Sequence, residues 1–292
     1  MPEIQHNRKE MEVMFREELG KMMSNVAFFA AIAAVVLLMM TSNVFKSFNT
    51  GREYNLFDII FSEERKGLVE ESGYSAVELI TTADNSYLIM FLPIAAAVPF
   101  VMIVCGEKKN SITRFEIYRT GKNRYVIGKF LAAAVVGGGI AVVGTCIYAL
   151  CVRSVFPGGT GERFAISVDM IREQSKVFDM AYGKLGVAGI YILKLIRVFF
   201  YGAFSAVPAF GFSALIKNRY VVLSLPFIVT YFFTKFVEGR KSMVWYELLP
   251  KNISNIFMTD YLKMVLWFGG IALAVLVFYR VCIGRKCDCG DE

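Results

Sequence analysis

The chain has 292 residues, 56% of them hydrophobic and 26 of them Phe, with a formal net charge of +7. A mean hydropathy of +0.51 excludes a disordered chain and points away from an ordinary soluble domain, toward a polytopic membrane protein. The positive excess needs no nucleic-acid partner, because much of it sits between Lys108 and Lys129 and no nucleic-acid-binding motif is present.

Residues 1–24 place Met11, Met14, Phe15, Leu19 and Met22 on one stripe, which predicts an amphipathic helix at the cytoplasmic membrane interface. Five acids, Glu3, Glu10, Glu12, Glu17 and Glu18, exclude the n-region of a secretory signal. The first span is expected at about 25–45, within a charge-free run from Met22 to Phe45 that would make a helix of about 36 Å. Residues 46–84 read as a net acidic external loop with room for short helices, broken by Gly51, Gly67 and Gly73. The second span, 85–106, contains Pro93 and Pro99, which should kink the helix or interrupt its hydrogen bonds.

Between the second and third spans, cations clearly outnumber acids, so residues 106–129 should stay in the cytoplasm. Thr113 and Glu116 have capping-box spacing and Gly121 is placed to end a short helix. Ile112, Phe115 and Tyr118 would share one face of it, flanked by Arg114 and Arg119. Two roles fit that face: insertion into a partner's groove, or a basic turn that sets topology and touches lipid headgroups.

The third span, 130–152, carries Gly137, Gly138 and Ala141 among other small residues, which predicts close helix packing inside the bundle. A second external loop, 153–197, opens with Pro157-Gly158-Gly159 and is expected to hold an amphipathic helix near Val168 to Met180. The apolar run from Leu185 to Ile216 is too long for one upright span, so an interfacial helix to about Lys194 and a fourth span at 198–216 are expected. Lys194 and Arg197 would then snorkel at the outer boundary or contact substrate in a cavity. The fifth span, 220–236, follows the turn Lys217-Asn218-Arg219, and the external loop 237–260 leads to the sixth span, 261–283, and a cytoplasmic tail, 284–292. This gives an all-α, six-span integral membrane protein with both termini inside.

Much chemistry is missing. The only histidine, His6, lies in the N-terminal segment, which excludes an H-E-x-x-H metal site or a Ser-His pair in the membrane; no enzyme activity is expected. Cys287-Asp288-Cys289 lacks the further ligands of a zinc site, and no metal site is expected. The spans hold almost no acids, which argues against an ion-coupled carrier. Gly128-Lys129 does not complete a P-loop, because Asn123 stands at the first glycine position and Phe130 follows the lysine.

Glu107 after the second span, followed by Arg119, Gly121, Arg124 and Lys129 leading into the third, together with the span pattern, resembles the permease subunits of ATP-binding-cassette transporters of the type-2 exporter class. The chain departs from that family at Ser111-Ile112, where a Gly-Thr pair is usual. The resemblance implies a coupling helix, with Ile112, Phe115, Glu116, Tyr118, Arg119, Gly121 and Arg124, docking on a separate ATPase subunit. It further implies a second permease subunit, ATP and Mg held by the ATPase and no cofactor in this chain, and a bacterial plasma-membrane location. The competing expectation is an ion-coupled secondary transporter, or an accessory membrane protein without an ATPase.

Overall fold

The computed structural model describes residues 2–47, 51–82, 87–110, 112–159, 165, 168–170, 172–173, 175–216, 218–238 and 261–288. Helix α1 (Pro2–Met23) gives way to α2 (Val26–Met40) at Asn25, whose side-chain oxygen accepts the Ala27 N–H and so caps the second helix. The last part of α1 and α2 bend by 63° at this break. With 15 residues, α2 is about 22 Å long, short of a hydrocarbon core of ~30 Å. The expected first span at 25–45 is therefore corrected: the helix stops at Met40, where the hydroxyls of Thr41 and Ser42 fold back onto the carbonyls of Leu37 and Leu38.

The chain then makes a two-stranded antiparallel hairpin, β1 (Asn43–Lys46) with β2 (Glu53–Asn55), so the fold is not helical throughout. Phe45 and Tyr54 stack across it at 5.4 Å between ring centroids, a pairing that suits aromatic residues in strands. Three short helices fill the rest of this segment: α3 (Leu56–Phe61), α4 (Arg65–Ser72) and α5 (Ala76–Thr82). An Asn55–Asp58 capping box starts α3.

Helix α6 (Tyr87–Lys109) runs through both Pro93 and Pro99, neither of which can donate the backbone hydrogen bond of its position. The expected loop 106–129 is nearly all helix: α6 continues to Lys109, α7 spans Ile112–Thr120, and α8 (Lys122–Arg153) begins after the single residue Gly121. Downstream, the described residues 165, 168–170 and 172–173 are helical, and Ser175 caps a further helix, α9 (Lys176–Leu185), by accepting the Phe178 N–H, so a helix starts afresh at Lys176 within the stretch expected to be helical near 168–180. Helix α10 (Val187–Leu215) is one uninterrupted run of 29 residues. The interfacial helix ending near Lys194 is thus corrected, because Lys194 and Arg197 lie within α10 and buried in the protein. Helices α11 (Arg219–Glu238) and α12 (Tyr261–Asp288) occupy the places expected for the fifth and sixth spans. Residues 239–260 and 289–292, which include most of the last external loop and the end of the tail, lie outside the described residues.

The described chain is mostly helical, and three of its helices are long and apolar enough to cross a membrane: Met90–Lys109, Lys122–Arg153 and Val187–Leu215. Counting the bent pair Met11–Met23 and Val26–Met40 as one span makes four. Helices α8 and α10 form the centre, with α1, α2 and α6 packed around them, α11 against α6 and α10, and α12 against α10. Small residues set the approach of the central pair. A Cβ on Gly137 would stand 2.8 Å from the Gly202 carbonyl oxygen, and one on Gly138 would stand 2.6 Å from the Phe199 ring. Ala141 lies against Gly202, where an added Cβ would come within 2.7 Å of its own. In lipid, helix association depends on such contact because apolar burial alone gains little there.

Candidate functional site

A cluster of five charged side chains lies where α1, α6, α7 and α8 meet. Lys129, fully buried on α8, faces three carboxylates: Glu18 at 3.0 Å, Glu116 at 3.4 Å and Glu107, with which it makes its closest pair. Lys21 on α1 bridges the same three, at 2.8 Å from Glu18, 2.9 Å from Glu116 and 3.7 Å from Glu107. The Lys129 ammonium also lies 5.0 Å from the centre of the buried Tyr125 ring. Burial would raise the Glu116 carboxyl, but Lys129 and Lys21 outweigh it and hold it below the ordinary carboxylate range.

Each helix brings its charge to this point for a local reason. On α1, Glu18 shares the stripe of Met14 and Met22, both buried against the rest of the protein, so the stripe expected to lie on lipid packs largely on protein. Met14 crosses α8 at Gly128, where an added Cβ would meet the Met14 side chain at 3.4 Å. Glu107 lies near the end of α6, and Lys129 two turns into α8.

Gly121 turns the chain from α7 into α8 with φ 82, a left-handed conformation that favours glycine, while its N–H closes α7 on the Ile117 carbonyl at 2.9 Å. The capping box proposed from spacing is corrected, since α7 begins at Ile112 and Thr113 already lies inside it. Glu116 points inward to the two lysines.

With Glu116 and Ile117 turned inward, α7 presents its other side outward. Phe115 is 75% exposed, Tyr118 89% and Ile112 41%. Arg119, also exposed, donates to Glu17 of α1 at 3.3 Å, and Arg124 is half-buried at the start of α8. The sequence-derived residues of this helix thus divide into an inward anchor, Glu116, and an outward apolar face.

The three acids of the cluster bring one oxygen each within 4.8 Å of one another, a spacing compatible with a cation. Lys129 and Lys21 already supply positive charge there, so the geometry needs no metal ion. Sequence reasoning took Glu107 and Lys129 only as points of resemblance and passed over Glu18 and Lys21. The available signal was an acid in the middle of an apolar stripe, at the helical spacing of Met11, Met14 and Met22.

Lys194 and Arg197 lie elsewhere, both 1% exposed, and the Lys194 ammonium donates to the Thr81 carbonyl at 2.9 Å. Compared with protein-family models, curated proteins and solved structures, the chain matches none.

Proposed function

We propose that this chain is the permease subunit of an ATP-driven exporter of the ATP-binding-cassette type, with α7 as the helix that docks on a separate ATPase chain. In this reading the six spans are α2 with the end of α1, then α6, α8, α10, α11 and α12. Both termini lie in the cytoplasm, on the side of Lys108, Lys109, Arg114, Lys122 and Arg124. Two permease subunits form the path, and the ATPase holds ATP and Mg. The host is a bacterium and the location its plasma membrane.

The observation that carries the reading is the division of α7. A turn that only fixed topology would need charge alone, and would have no use for Phe115 and Tyr118 exposed on the same helix that Glu116 anchors to buried lysines. Such a helix can transmit movement: a push on its outer face reaches α1, α6 and α8 through the ion cluster rather than being lost in a flexible loop.

The test is co-purification from cells expressing the chain with a candidate ATPase subunit. The wild type should retain a P-loop-containing partner, and Phe115→Asp, which places a charge in the docking face, should lose it while still inserting in the membrane. Transport by the chain alone, driven by an ion gradient and indifferent to Phe115→Asp, would refute the reading.

A further inference from the structure

Helix α5 is built into the bundle more firmly than an external loop helix requires. The Ala76 N–H at its start donates to the Pro157 carbonyl at 3.0 Å, just past the end of α8, and the Thr81 carbonyl at its far end accepts from Lys194, two turns inside α10. Between these ties Val77, Leu79 and Ile80 are buried. Val77 joins Val168, Phe178, Ile190 and Leu193 in an apolar cluster of its own. Helix α5 therefore covers the face of α10 that carries Ile190, Leu193 and Lys194, with Arg197 one turn further along that face.

Two cations fully buried three residues apart on one helix are a costly choice, because apolar side chains of the same size would pack at least as stably. In the present state the Thr81 carbonyl of α5 is one of the partners of Lys194. We propose that α5 stands in for a ligand: Lys194 and Arg197 form a site for the oxyanion, phosphate or carboxylate, of an amphipathic substrate, and α5 fills that site at rest. An ammonium and a guanidinium together are suited to such a group, and Ile190 and Leu193 beside them to its apolar chain. This assignment of substrate class rests on the exporter reading. The assay below uses neither ATPase nor transport, so its failure is distinct from the failure of that reading.

The full chain, depleted of native cysteines and carrying Ile80→Cys, is placed in nanodiscs and labelled with a water-soluble maleimide. In pure phosphatidylcholine, labelling should be slow, since Ile80 is buried. Adding phosphatidylglycerol should accelerate it as the lipid phosphate draws Lys194 from Thr81. Lys194→Met should accelerate it about tenfold in phosphatidylcholine and remove the response to phosphatidylglycerol, while Lys194→Arg should retain that response. Acceleration by inorganic phosphate in pure phosphatidylcholine would support the site and identify its ligand as a soluble anion. Labelling unaffected by either anion would overturn the proposal, and so would a phosphatidylglycerol response that persists in Lys194→Met. Should Lys194→Met not assemble, the wild-type comparison of the lipids decides.

Discussion

Lys129 shows what one buried side chain does at this site. Its ammonium is shared among Glu18, Glu107 and Glu116, so removing it leaves three acids facing Lys21 alone. Lys129→Met should therefore destabilise the protein by about 3–5 kcal/mol, read as a lowered melting temperature or as loss of folded protein from the membrane fraction. Arg119→Ala breaks only an exposed pair with Glu17 and should cost no more than about 1 kcal/mol in the same assay. Glu116 adds a pH dependence of definite sign. Its carboxyl is held below the ordinary range in the folded protein, so its stabilisation is present above the unfolded pKa and is lost as pH falls through the folded one. Melting temperatures followed downward from neutral pH should show a steeper acid loss for the wild type than for Glu116→Gln, and equal slopes would remove this cause. Glu18 was hard to recognise in sequence because an acid within an apolar stripe looks like an edge residue until the partner helix is known. Lys129, read as the charge opening a span, gave no hint that three acids would converge on it.

Among the elements, charge-free runs coincide with the middle of α6, most of α8 and the second half of α10, since runs of apolar residues and their basic ends are local properties. The boundaries were less legible where tertiary contacts decide them. Lys194 and Arg197 suggested an interruption at an interface, yet α10 continues through both because the protein buries them and α5 supplies an oxygen to Lys194. Thr41 and Ser42 end α2 early by hydrogen bonds that hydropathy does not register. The small residues of α8 can be told apart only in three dimensions: a Cβ on Gly138 would stand 2.8 Å from the Phe199 carbonyl, whereas one on Gly139 would meet nothing within 4 Å. Gly138→Ala should accordingly destabilise by about 1–3 kcal/mol. Gly139→Ala should be neutral or stabilise by up to about 1 kcal/mol, since alanine is the better helix former. Comparable melting temperatures for the two variants would show that Gly138 is not at a tight contact.

For the whole molecule, the orientation read from charge can be tested at positions the fold exposes. Polarity alone would favour Ser72 and Ser175 as external reporters, but both are buried. In a cysteine-depleted chain, Lys66→Cys and Glu173→Cys, on exposed residues of the expected external segments, should react with an impermeant thiol reagent applied to intact cells. Asn123→Cys, exposed beside α7, should react only after the cells are opened, and reaction from outside would reverse the topology. If α7 docks on an ATPase as proposed, site-specific photo-crosslinking in intact cells reads the contact itself. A photoreactive residue in place of Phe115 or Tyr118 should give an adduct with a P-loop-containing ATPase chain. The same residue at Val135, on the outer surface of α8, should give none. Absence of that adduct at both Phe115 and Tyr118, in cells where the ATPase chain is expressed and the variants are inserted, would show that α7 is not the docking helix.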